Sequence, residues 1–344
     1  MWNRLSIGAR SGRRSFSSAR TEVRPTYEVQ TPGPAITGGA DRLWTMIILL
    51  ALLMADEASL LSARVAASPR LALTRTEVRV QVPSPGVALG FPSAVTMDAS
   101  GTIYVLQREA KLDPVMAVNA TGKVLRSWGR GMYVIPHSIR IDPQGNVWTV
   151  DSSSSQVHKF TPQGKTLMTI EVGGQPKTAT NFNGATDIAF APNGHLYISD
   201  GYGNARVLEY TAEGTRVREW GKPGKGPGEF EQPHGIAIDE AGIVYVADRK
   251  NGRLQRFDLA GKFLGEWTGL GMVTSVSVHA GAVWIGTQQR NEPTSADGWI
   301  LKLDRKTGAI LGHTESGHGH HCVNLSGGRV LSGARPDHVF VWRP

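Results

Sequence analysis

Cysteine is nearly missing from this chain. One residue, Cys322, in 344 excludes an intramolecular disulfide framework and any zinc module built on several thiolates. Long apolar runs are missing as well. The segment Leu43 to Ala55 (LWTMIILLALLMA) falls short of the roughly 20 residues that a helix needs to cross a bilayer, but it suits the apolar core of a signal peptide. Charge is sparse, at 19% of residues, and of the 37 Lys and Arg and 29 Asp and Glu, nine and five fall in residues 1–70. That leaves 28 basic and 24 acidic residues over the other 274. They are mixed in sign with no dense basic run, so the net charge of +8 does not mark a nucleic-acid partner.

Glycine and proline are present in quantity instead, 41 and 19 respectively, which marks a turn-rich globular body. The leader is expected to occupy residues 1–70, without fixed structure and with the signal-peptide-like or anchor segment 43–55 inside it. Arg42 precedes that segment, and Val65-Ala66-Ala67 offers small residues for cleavage. Export to a periplasmic or extracellular space is the expectation, with no stable membrane partner unless the segment stays uncleaved as an anchor.

From residue 91 one pattern recurs, and internal repetition fixes the fold class before anything else does. The copies are FPSAVTMDASGTIYVLQRE from Phe91, PHSIRIDPQGNVWTVDSS from Pro136, ATDIAFAPNGHLYISDGY from Ala185, PHGIAIDEAGIVYVADRK from Pro233 and VTSVSVHAGAVWIGTQQ from Val273. A degraded sixth, HCVNLSGGRVLSGA, begins at His321. Most copies are followed by a second hairpin, such as VLEYTAEGTRVREW, so each unit holds about four short alternating strands, the content of one propeller blade. The spacing predicts an all-β, six-bladed NHL-type β-propeller over 71–344. The sixth unit is too short for four strands, and residues 76–82 (TEVRVQV) are expected to complete it and join the ends of the ring. Trp128, Trp220 and Trp267 share one outer-strand place and read as packing between blades.

Equivalent blades make place in the repeat a guide to place in space. The slot opening each inner strand carries Ser93, His137, Thr186, His234, Thr274 and His321. Histidine occupies alternate units, which lie about 120° apart in a six-bladed ring, so three imidazoles converge on the tunnel axis. Three neutral nitrogens with one open position suit zinc, and nickel, copper or iron would also accept them. Within HGHH the third ligand stays open. Alternation through Val323 and Leu325 favours His321, and a gapless count back from Ser332 favours His320.

These residues bring the chain to a known family. PHSIRIDPQGNVWTVD, SDGYGNARVLEY and PHGIAIDEAGIVYVADRKNGRLQRF resemble the signatures of peptidyl-α-hydroxyglycine α-amidating lyases over roughly 90–344. The resemblance implies cleavage of a small peptide or related amide ending in α-hydroxyglycine to an amide and glyoxylate, with zinc on the tunnel histidines and the protein a monomer. It implies Tyr202 as base and Arg108 and Arg249 as active-site arginines. A tyrosine takes a proton near neutral pH only when its ordinary pKa of about 10 is depressed, which arginine and metal charges would do. The family's structural calcium would use the carbonyls of Val95 and Ile139 and an acid beside the third histidine. The chain departs there, since Cys322 follows His321 and no carboxylate is supplied. Gly203 stands where animal members carry a cysteine. The competing expectation is a non-catalytic NHL-type propeller that binds a peptide, protein or glycan and holds no transition metal.

Overall fold

A strand whose two faces are both covered must be apolar on both, and the strands here are. The computed structural model describes residues 57–174, 184–289, 298–316, 324–326, 329–333 and 338–343. Within them lie six four-stranded antiparallel sheets, the blades of a six-bladed propeller. Blade four shows the logic. Along Val244–Asp248, Val244 and Val246 face the core shared with blade three, while Tyr245 and Ala247 face the core shared with blade five. The period of two thus divides one strand between two neighbours. Six such clusters, one at each blade junction, make up the hydrophobic core.

The outer-strand tryptophans lock adjacent blades. Trp128 stands edge-on between Tyr104 of its own blade and Phe160 of the next, and Trp220 and Trp267 repeat the position. Each indole lies against a glycine in the outer hairpin of the following blade. A Cβ on Gly261 would come 2.7 Å from Trp220, and one on Gly308 would come 2.3 Å from Trp267. Both glycines also have positive φ, 83° and 73°, so the turn geometry and the close approach demand the same residue.

Ring closure is as expected, with a small shift of boundary. Thr74–Arg79 pairs antiparallel with His338–Arg343 as the outermost strand of blade six, from Thr74 opposite Arg343 to Arg79 opposite His338. It begins and ends slightly earlier than the stretch 76–82.

The ordered body also starts ahead of residue 71. Glu57–Ala67 is an α-helix, with Leu61 and Val65 buried in the cluster between blades four and five. Leu61 lies against Gly271, while Arg64 donates to the carbonyls of Thr268 and Gly269. Val65-Ala66-Ala67 therefore belongs to a packed helix, because burial of two apolar side chains there outweighs the leader-like composition. No helix among the described residues is long and apolar enough to cross a membrane, and segment 43–55 lies outside them.

Candidate metal-binding active site

The repeat slot has a structural cause. In the inner strands of blades one to five the pairing register skips one residue, between Pro92 and Ala94, Pro136 and Ser138, Ala185 and Asp187, Pro233 and Gly235, and Val273 and Ser275. The skipped residues are Ser93, His137, Thr186, His234 and Thr274. A β-bulge frees a residue from the ladder and re-aims its side chain.

At the bulges of blades two and four the freed side chains are His137 and His234, both buried. Their rings stand 4.8 Å apart between centroids, at 71°. His137 Nδ1 lies 2.6 Å from the carbonyl oxygen of Thr186, and His234 Nδ1 lies 2.6 Å from that of Thr274. A carbonyl only accepts, so each Nδ1 carries the proton and each Nε2 is bare. The threonines are the slot residues of the next blade, and their hydroxyls turn to backbone carbonyls. Thr186 reaches those of Ser199 and Pro233, and Thr274 that of Gly286.

Tyr202 Oη closes the group, 3.0 Å from Nε2 of both histidines. Its loop is fixed on three sides. Asp200 accepts from Asn204 and from Arg206 Nε, the Tyr202 N–H donates to Gly184, 3.3 Å, and Gly201 runs so close to Pro233 that a Cβ would lie 1.9 Å from its carbonyl oxygen. The motif DGYGNxR is thus a clamp that delivers a phenol beside His234. The second motif is built alike. Asp248 accepts from Asn251 and Arg253 Nε on one oxygen and from the N–H groups of Glu231 and Gln232 on the other.

Two arginines flank the cluster. Arg108 Nε donates to the carbonyl of Pro136, 3.0 Å, with its guanidinium over Phe91. Arg249 begins the short turn Arg249–Asn251 and points Nη1 to Gln232 Oε1, 3.4 Å; burial lowers its pKa, and the nearby Tyr202 acts in the opposite sense. Burial first, and then the charge of Arg108, push the His137 pKa down to about 4, with Arg249 adding to them and the Thr186 carbonyl and Asp187 opposing. His137 is therefore neutral at ordinary pH.

The donor set fits a cation. Two imidazole nitrogens and one phenol oxygen meet at 3.0 Å, and imidazole nitrogen is a ligand that zinc and other divalent transition ions accept. Among the described residues no three His, Cys, Asp or Glu side chains converge; His320 and His321 lie outside them.

The carbonyls implied for calcium belong to the same inner strands as the slot residues. Val95 and Ile139 sit two residues past the slot, with side chains in the cores of blade junctions. At the same repeat position in blade five, the Val276 carbonyl faces Arg140 Nη2 at 3.4 Å. Sequence reasoning passed over Arg140 and its partner Asp187. A signal was there. Three residues past the slot the other described blades carry Thr96, Ala189, Ala237 and Ser277, and one residue past it Ala94, Ser138, Gly235 and Ser275. A lone Arg and a lone Asp interrupt two series of small residues.

The comparisons with known proteins bear on the fold and on the chain's relatives. A family model described as a 6-bladed beta-propeller matches residues 177–281. The chain is 30% identical over 210 residues to "Peptidyl-alpha-hydroxyglycine alpha-amidating lyase 1" of Drosophila melanogaster, which covers 51% of this chain and 39% of that protein. It is 31% identical over 195 residues to "NHL repeat-containing protein 3" of Mus musculus, covering 52% and 54%. The matches thus span only about two fifths to half of these relatives. Among solved structures, virginiamycin B lyase from Staphylococcus aureus superposes with TM-score 0.56 at 16% identity, over 79% of this chain and 99% of that one, a likeness of fold alone. The chain is therefore homologous to proteins named as amidating lyases and to an NHL-repeat protein.

Proposed function

We propose that this protein is a metal-dependent carbon–nitrogen lyase, acting on a peptidyl-α-hydroxyglycine or a related N-hydroxyalkyl amide. The observation that carries the reading is the meeting of His137 Nε2, His234 Nε2 and Tyr202 Oη at 3.0 Å, two nitrogens of the kind a metal takes beside a phenol oxygen placed to move a proton. The lyase-named relative supports the reaction class.

His137 and His234 would hold the metal, zinc or another divalent transition ion, with His321 as third ligand. The blade-six pairing favours His321 over His320. Ser326 opposite Arg329 across a two-residue turn matches His279 opposite Ala282 in blade five, and counting back as from His279 to Thr274 reaches 321. When bound, the metal would supply Lewis acidity that makes the substrate hydroxyl easier to ionise. Tyr202, ionised to its phenolate by the nearby arginine and metal charges, would take the hydroxyl proton; the C–O bond becomes C=O, the C–N bond breaks, and the amide nitrogen takes that proton from Tyr202, giving amide and glyoxylate. Arg108 and Arg249 present planar guanidinium groups suited to a carboxylate. Thr186 and Thr274 hold the imidazoles in the tautomer that leaves Nε2 open.

Elemental analysis of the purified chain beside His137→Ala and His234→Ala, paired with glyoxylate release from an α-hydroxyglycine peptide, tests this. About one transition metal per chain, lost in both variants together with glyoxylate release, is the expected result. A metal-free and inactive wild type after reconstitution leaves the second reading, a peptide-, protein- or glycan-binding propeller, for which the NHL-repeat relative speaks.

A further inference from the structure

We propose that the guanidinium of Arg140 is the resident cation of the propeller tunnel, standing at the level where the family resemblance would put calcium, so that the fold needs no calcium. The inference does not depend on the lyase reading.

Arg140 leaves the inner strand of blade two and crosses the tunnel. Its Nε donates to Asp187 Oδ1 in blade three, 3.0 Å, and Nη2 pairs with Asp187 Oδ2. Nη1 reaches Ser277 Oγ and Nη2 reaches the Val276 carbonyl, both in blade five and both at 3.4 Å. Asp187 is committed on every side. Oδ1 also accepts from Ser138 Oγ, 2.5 Å, and the N–H of Ile188, 2.9 Å, while Oδ2 accepts from the N–H of Ile236 in blade four, 3.3 Å. The side chains are 11% and 1% exposed. One ion pair therefore ties blades two, three, four and five across the axis.

A carboxylate this buried persists only beside a cation. Calcium would ask for six to eight oxygens at about 2.3–2.6 Å, carboxylates among them. The described carboxylate at this level is spent on Arg140, and the Val276 carbonyl, the repeat equivalent of Val95 and Ile139, receives an N–H. A divalent ion at the same level would also face the guanidinium as a like charge. The small residues at the equivalent positions of blades one, three, four and five, Thr96, Ala189, Ala237 and Ser277, leave room beside Arg140.

The ion pair lies directly behind the histidine cluster. Ser138 follows His137, Asp187 follows Thr186, whose carbonyl orients His137, and Ile236 lies two residues beyond His234. Arg140 also lines a small cavity of about 190 Å³ with Thr96, Ile188, Ile236 and Ser277, at the far ends of the inner strands. It divides that mouth from the histidine end.

The test measures calcium on the full chain, by elemental analysis and by thermal unfolding with added calcium against a magnesium control; neither readout involves lyase activity or the transition metal. The wild type is expected to carry no stoichiometric calcium and to unfold at the same temperature in either ion. Arg140→Ser, which leaves Asp187 without its cation, is expected to gain a calcium-specific rise in Tm, as binding to the native state requires, and Arg140→Ser with Asp187→Asn is expected to lose it. One calcium per wild-type chain, or a calcium-specific rise in its Tm, overturns the proposal. So does an Arg140→Ser protein that folds and ignores calcium. Should Arg140→Ser not fold, the wild-type measurements still decide, and Arg140→Lys, which keeps the charge, is expected to stay insensitive to calcium; sensitivity there would also overturn the proposal.

Discussion

Blades two and four differ from blades three and five by one side chain at a shared bulge. All four skip the slot residue in the ladder, at His137, His234, Thr186 and Thr274. In the threonine blades the freed side chain closes on backbone, and the slot carbonyl becomes the acceptor that holds the preceding blade's imidazole. In the histidine blades the same backbone aims a bare nitrogen at the axis. The bulge is a property of the fold, and the chemistry belongs to the residue placed on it, with histidine and the threonine that holds it alternating from blade two to blade five.

The sharpest way to break that comparison is to turn a histidine blade into a threonine one. His137→Thr or His234→Thr should fold with the bulge intact and lose transition-metal affinity by more than about 100-fold, beyond what loss of a supporting hydrogen bond alone causes, as read by competitive metal titration. Tyr202→Phe removes only the phenol oxygen that joins the two blades. Turnover should fall about 100- to 10,000-fold, the range for a lost general base, with metal content unchanged by elemental analysis.

The two loop clamps sharpen the comparison on the side of stability. Arg253 and Asp248 are 5% and 0% exposed, whereas Arg206 is 18% exposed beside a fully buried Asp200. Arg253→Met should cost about 3–5 kcal/mol in chemical denaturation, as breaking a buried pair does, and Arg206→Met clearly less. Leu61→Ala should cost about 2–4 kcal/mol by the same measurement, because its site is lined by the backbone of Gly271 and collapses poorly. The smallest effect belongs to Thr186→Val. It removes a hydroxyl hydrogen bond worth about 1 kcal/mol and keeps the carbonyl on His137, so metal affinity should move little.

Much of the site was legible because a repeat converts sequence position into spatial position. His137 and His234 were singled out from their place in the repeat and Tyr202 from the family resemblance, and the three meet. The reason for the slot was not legible, since a bulge is a fact of register between two strands. Nor was the dual nature of the motifs. Asp200, Asn204 and Arg206, like Asp248, Asn251 and Arg253, are loop clamps, and the chemistry rests on the single residue each loop delivers. The helix Glu57–Ala67 was hidden in a leader-like composition, because Leu61 and Val65 acquire meaning only against blades four and five.

The amino-acid sequence determined the blade count, the ring closure by an N-terminal strand and the alternation of histidine around the axis, since these follow from local periodicity and turn chemistry repeated six times. Tertiary structure alone decided which tautomer each imidazole adopts, that Tyr202 falls between them, and that Arg140 reaches across the tunnel to Asp187. Each of those is a contact between blades, and its distance depends on how the ring closes rather than on any segment of the chain.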